Sequence, residues 1–357
     1  MTDQKAITTQ TDRAPLAFVN DMMKQAGKIA NKAAARQTFA DHTARKSDNT
    51  IRRKIADLAL FETFLNSANI PARDLYNDPQ AWRGVTWGIV KAFTAWMLSQ
   101  GYAIASINGR LSTVRTFAKL AAQAGAITPQ ESILIASVQG YANKEKKNID
   151  DKRRADGMPT RKGYKKAEAV IIPADIAAKL ITQPNTPQGR RDALLMCLVL
   201  EHGLRVGEIA LLTAKSFDVK AGTFIFIRPK VNKTQTHELT PATREAAKAY
   251  IKNDAPEAGI IWRKSHKGTA ELSGQLSETS ATRALTKRVE LLGRKAGIVG
   301  LSAHDGRHYW ATFEARSGTA IDRLMDAGGW NSPAMPLRYV EAAHIANEGT
   351  AKVQRSN

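Results

Sequence analysis

Near the C-terminal end of this chain four residue types recur at spacings that suit one kind of chemistry. His304 and Arg307 stand three residues apart, Trp330 follows Arg307 by twenty-three, and Tyr339 follows Trp330 by nine. Three apart on a helix puts His304 and Arg307 on one face, where both address a single anion. A guanidinium grips phosphate oxygens bidentately and stays charged. An indole N–H donates or simply packs to seal a site, and a phenol is a nucleophile. No carboxylate pair and no Cys/His cluster lies between Leu301 and Ala343 to hold a metal. The chemistry that fits is metal-free phosphoryl transfer, with Tyr339 attacking a phosphodiester to give a covalent phosphotyrosine link.

About a hundred residues upstream the same chemistry gains its other parts. Arg205 supplies a second guanidinium, and Glu208, three residues on, is one helical turn away and able to hold it. A leaving 5′ oxygen needs a proton, which a lysine delivers without a metal; Lys230 and Lys233, in a predicted hairpin, compete for that role. Tyr309 is the rival nucleophile, but two residues after Arg307 it points away from that arginine's face, and packing is its expected job. Taken singly, each residue has a plainer reading as a salt-bridge partner, a satisfied polar group or packing. The order and spacing together carry the argument.

The elements that must position these groups are mostly helical. Residues 1–47 read as a flexible basic N-terminal arm with a helical stretch inside it. From Asn49 the apolar residues fall at helical spacing: Ile51, Ile55, Leu58 and Leu65, then Val85, Ile89, Phe93 and Trp96, then Ile107, Leu111, Val114 and Ala118. A shorter helix follows Thr128, with Pro129 in its first turn. Residues 48–143 are therefore expected to form a compact helical domain, whose third helix carries Asn108, Arg110 and Arg115 either as candidate DNA-groove contacts or as an ordinary solvated face. Residues 144–168 read as a basic linker: Lys144 to Lys166 hold ten basic and four acidic residues without apolar periodicity. In it Lys152, Arg153 and Arg154 are candidate backbone contacts.

Residues 169–340 form the second, catalytic domain. Helices are expected near Pro173–Thr182, Gln188–Glu201, Val206–Leu212, Pro241 onward, Ser280–Lys295, His304–Ser317 and Ile321–Asp326. TFIFIRP and THELTP are two strands joined by VNKTQ. Pro333 and Pro336 precede Tyr339, so the nucleophile's helix is expected to begin near Met335 or later. That placement suggests a Tyr339 segment that stays mobile until DNA and a partner subunit assemble. Residues 341–357 are a tail. The fold class is mainly α, a helical domain plus a mostly helical one with a small antiparallel sheet.

Composition agrees with a polyanionic partner. The chain has 357 residues, with 53 Lys and Arg against 33 Asp and Glu, a net charge of +20. Nucleic acid is the first candidate and an acidic membrane surface the weaker one. Cys197 is the only cysteine, which excludes an intramolecular disulfide and fits a reducing compartment. With no apolar leader and no long apolar run, the expectation is a cytoplasmic protein with no membrane span, no cofactor and no metal.

Arg205, a hairpin lysine, His304-x-x-Arg307, Trp330 and Tyr339 in this order resemble the tyrosine recombinase (phage integrase) family. LEHGLRVGEIALLT is similar to the family's first arginine motif. DAGGWNSPAMPLRYVEA resembles the corresponding part of Cre recombinase, with tryptophan where many members carry histidine. In the family the catalytic lysine often stands as Lys-Thr with a proline about eight residues on, which selects Lys233 with Thr234 and Pro241 over Lys230, whose flanking glycines are missing. The resemblance implies a SAM-like core-binding domain and site-specific recombination of double-stranded DNA through a 3′-phosphotyrosyl intermediate and a Holliday junction. It also implies a homotetramer on two DNA sites, with the tail docked on a neighbouring subunit. Two other readings remain: type IB topoisomerase-like relaxation and a non-catalytic DNA-binding protein.

Overall fold

Three helix starts in this chain are written alike. Thr128-Pro129, Thr186-Pro187 and Thr240-Pro241 each place a threonine at the N-cap and a proline in the first turn, where its missing N–H costs nothing. Each threonine hydroxyl accepts from the backbone N–H three residues on. The computed structural model describes residues 16–163, 169–266 and 268–343. It divides into two compact units, one running through Tyr164 and the other from Lys165.

The first unit is helical throughout: α1 (Leu16–Ala44), α2 (Asp48–Ser67), a 3-10 turn at Pro79–Trp82, α3 (Trp87–Ser99), α4 (Ile104–Gln123), α5 (Pro129–Ser137) and α6 (Asn143–Ala155). Its core gathers Leu58, Phe61, Leu65, Phe93, Met97, Ile107, Leu111, Val114 and Phe117. The α4 periodicity is met, with Ile107, Leu111, Val114 and Ala118 all buried. On α2 the inward stripe runs through Leu58, Phe61 and Leu65, while Ile55 lies outside it at 44% exposure. Most of the expected N-terminal arm is one 29-residue helix, and its Phe39 is buried edge-on against Phe117, 5.4 Å between ring centres.

Half of the expected linker is also helical. α6 lacks an apolar stripe, yet Arg153 anchors it by donating to the Tyr102 and Pro159 carbonyls and to Asp150 at 3.2 Å. Pro159 in turn closes on Gly101, where a Cβ would come within 2.6 Å of the proline ring. Polar anchoring of this kind leaves no period in the hydrophobic pattern.

The second unit is built around α8 (Pro187–Leu200), buried from Leu194 through Leu200. Against it pack α7 (Ala174–Ile181), α10 (Pro241–Asn253) and α12 (Ala303–Arg316). The short α9 (Val206–Ile209), α11 (Glu278–Lys295), α13 (Ile321–Gly328) and α14 (Ala334–Ala343) complete the helices. One antiparallel sheet has the order β1 (Phe217–Asp218), β2 (Thr223–Arg228), β3 (Lys233–Glu238). Lys233 is the first residue of β3, paired with Arg228, rather than part of the connection. A second pair, β4 (Arg263–Ser265) and β5 (Leu272–Gln275), was not visible in the sequence. No helix among the described residues is long and apolar enough to cross a membrane.

Candidate active site

The site begins at the end of α8, where Gly203 turns the chain with φ 58° and lies so close to Trp310 that a Cβ would sit 2.2 Å from the ring. Only glycine meets both demands. The turn delivers Arg205 to the start of α9. Its backbone N–H donates to one oxygen of Glu208 at 2.9 Å and its Nη1 to the other at 2.8 Å. Glu208 is buried, while the Arg205 side chain keeps 29% exposure, so the guanidinium is held from within and open outward.

Arg307 lies deeper, 2% exposed on α12. It donates to the carbonyls of Gly203, at 2.8 Å, and Gly328, and its guanidinium stacks 4.3 Å from the centre of the Trp330 ring. Burial, with Arg205 and Arg228 nearby, pulls its pKa down to about 10, which leaves it charged at neutral pH. Gly306 explains how α12 comes so close to α8: a Cβ there would meet Val199 Cγ1 at 2.2 Å. The glycine inside His304-x-x-Arg307 is thus a packing requirement.

His304 is exposed one turn before Arg307, with its Nε2 3.2 Å from Nε2 of His308. The His308 ring is 5.1 Å from that of Tyr339, and the Trp330 ring 5.6 Å from it. Tyr339 is 4% exposed on α14, and its hydroxyl has no hydrogen-bond partner among the described residues. Burial raises the pKa of the phenol, and the positive charges of Arg307, Arg205 and Arg338 oppose that rise. α14 starts at Ala334, so Pro336 falls in its first turn and leaves the helix unbroken. Tyr309 stacks on Phe313 and packs against the main core, away from this group.

The two lysines differ in setting. Lys233, 52% exposed, has its Nζ 2.6 Å from Asp326 at the end of α13; Lys230 is exposed in the turn between β2 and β3. The structure therefore brings Arg205, Glu208, Arg307, His304, Trp330 and Tyr339 together, with Lys233 tied to the neighbouring α13. Sequence reasoning missed two members. His308 had a signal, a second histidine one turn after His304 on the same face. Arg228 had one too, as a charge in inward phase with Phe224 and Phe226 on β2.

The candidate DNA contacts of the first unit differ in how far their side chains are committed within the protein. Asn108 is a latch: its side chain donates to the Tyr141 carbonyl at 2.8 Å and accepts from the Tyr141 N–H at 2.9 Å. Arg153 is 4% exposed and committed to the anchoring described above. Arg110 is half-buried beside Asp57 and over the Tyr102 ring, and Arg115 is half-buried with its pKa lowered by desolvation. Lys152 and Arg154 are exposed, the latter paired with Asp151 at 2.6 Å. The remaining part of the tail, residues 344–357, lies outside the described residues.

Residues 171–344, the stretch that holds every member of this group, match the model of the phage integrase family. The match spans just under half of the chain, all of it within the second unit. An integrase of Salmonella phage P22 is 42% identical over 53 residues, a match that spans 15% of this chain and 13% of that relative. Among solved structures, the Tn1549 transposon integrase in complex with a circular intermediate DNA has a TM-score of 0.59 at 15% identity, covering 90% of this chain and 99% of that one. A lambda integrase dimer bound to a core site has a TM-score of 0.57 at 14% identity, covering 85% and 93%. At these identities the likeness is one of fold.

Proposed function

We propose that the chain is a site-specific tyrosine recombinase acting on double-stranded DNA, with Tyr339 as its nucleophile. One observation carries this reading: a buried phenol whose oxygen has no partner among the described residues lies under the charge of Arg307 and Arg205. Such an oxygen is poised for an electrophile that brings its own negative oxygens, as a phosphodiester does. In the reaction the Tyr339 oxygen bonds to phosphorus and the bond to the 5′ oxygen breaks, leaving a 3′-phosphotyrosyl ester. The phenol proton passes to the neighbouring imidazoles, His304 with His308. The departing 5′ oxygen takes a proton from Lys233. Arg205, steadied by Glu208, and Arg307 hold the non-bridging oxygens in preset positions as charge shifts among them.

Reversal by a 5′ hydroxyl of another strand rejoins the DNA, so the ester conserves the bond energy. Two such exchanges through a Holliday junction, on a homotetramer bound to two sites with the tail of each subunit on its neighbour, complete recombination. The Tn1549 and lambda integrases, which share the fold, are each seen on DNA. A Cre-like C-terminal part is supported by Trp330, which stacks on Arg307 and lies beside Tyr339.

The test is capture on random-sequence nicked duplexes, followed by denaturation and sequencing of whatever DNA stays bound. The expected result is a covalent adduct at a defined sequence, absent from Tyr339→Phe, which still binds the duplex. An adduct that persists in Tyr339→Phe overturns the assignment. Relaxation of plasmids lacking the captured sequence would point to a topoisomerase, and binding without any adduct to a non-catalytic protein.

A further inference from the structure

We propose that Arg228 is a positioning residue of this centre, fastening the carboxylate that orients Arg205 to the hairpin of Lys233 and the turn of Trp330. The inference rests on the strand-transfer reading above. Arg228 has 0% exposure and follows Phe224 and Phe226 on the inward side of β2, a place where packing alone asks for an apolar side chain. Taking a guanidinium out of water is costly unless each N–H finds a fixed acceptor. Burial lowers its pKa, with Glu208 opposing.

Its acceptors come from three separate elements. Nη1 donates to Glu208 at 2.9 Å, Nε to Gln235 on β3, and Nη2 to the Ala327 carbonyl on α13. Gln235 extends the tie by donating to the Asp326 carbonyl at 2.8 Å. Gly329, left-handed with φ 60°, presses on the same side chain: a Cβ there would lie 2.6 Å from Arg228 Cδ. The next residue is Trp330, which covers Arg307. The other oxygen of Glu208 holds Arg205. A rigid planar fork with five donors suits three acceptors in a fan; a flexible apolar side chain fills the space without joining them.

The experiment compares full-length Arg228→Met and Arg228→Lys with the parent in urea stability, affinity for the captured duplex, single-turnover adduct formation and hydrogen exchange. Arg228→Met leaves Glu208 paired with Arg205, so affinity is expected to hold, with only the modest loss of stability that unpaired acceptors at Gln235 and Ala327 bring. Adduct formation is expected to slow about a hundredfold, the scale of a small misplacement in a preset site, with Arg228→Lys in between. Exchange should quicken together in residues 229–235 and 326–331 while α8 stays protected. Adduct formation at the parent's rate, or unchanged exchange in those two segments, overturns the proposal. So does a parallel loss of stability, affinity and rate, the mark of packing alone. If Arg228→Met does not fold, Gln235→Met cuts the same tie with Arg228 still on Glu208 and is judged by the same outcomes. A parent that forms no adduct sinks the strand-transfer reading instead, and the exchange data then decide on Arg228 by themselves.

Discussion

Lys233 and Asp326 stand 2.6 Å apart, so the proposed proton donor rests on a carboxylate. In the reaction it must leave Asp326 for the 5′ oxygen. Lys233→Ala is expected to slow cleavage by about 10²- to 10⁴-fold, the range of a lost general acid. A bridging sulfur at the leaving position departs without a proton and should restore the rate; Lys230→Ala should need no such help. Two other residues set a pH dependence of folding. Burial pushes His202 down to about 3 and His237 down to about 4. An unfolded histidine takes its proton near 6.5, so between roughly 4 and 6.5 the unfolded chain binds more protons. Stability from this pair is therefore full above that window and is lost as pH falls through it. Urea unfolding at pH 7.5 and 5 should show the drop, and His237→Gln should reduce it. At this scale the sequence was legible where residue types are rare and their order is fixed, as with His304, Arg307 and Tyr339. It was silent on which cations serve as struts: nothing local distinguishes buried Arg153 from exposed Arg154, because the carbonyls of Tyr102 and Pro159 that bind it arrive from elsewhere in the chain.

Helices with an apolar stripe were readable to within a residue or two, as α4 and α8 show, because period and burial have one cause. α6 and the β4–β5 pair were not, since polar anchors hold α6 and the strands are short and half-exposed. The start of β3 was also misjudged, with Lys233 placed in the connection, because a chain turning at Asn232 with φ 47° gives no glycine to mark the place. α12 packs tightly on α8 at Gly306. Gly306→Ala would force a methyl group into Val199, with an expected cost of about 1–3 kcal/mol in urea unfolding. It should also slow adduct formation, because α12 carries both His304 and Arg307. An unchanged unfolding midpoint would show that α8 yields easily.

For the whole molecule the governing quantity is the charge of +20. Lysines and arginines that neutralise phosphates release counterions, so duplex affinity should fall linearly in log–log form with salt concentration. Titrations between 50 and 200 mM salt check this, and a flat response would contradict binding through the DNA backbone. Composition pointed to a polyanionic partner, and one short stretch to the proposed chemistry; which cations would face DNA was not legible, since that depends on how each unit packs. The burial of Tyr339, finally, bears on fidelity. A phosphotyrosyl ester formed on a phenol only 4% exposed is an ester kept out of water. Hydrolysis, which would leave a broken strand, is starved of its reactant, while a deoxyribose hydroxyl delivered by a bound strand is not. In the proposed reaction the same packing that hides the nucleophile thus also decides that cut ends are rejoined rather than lost.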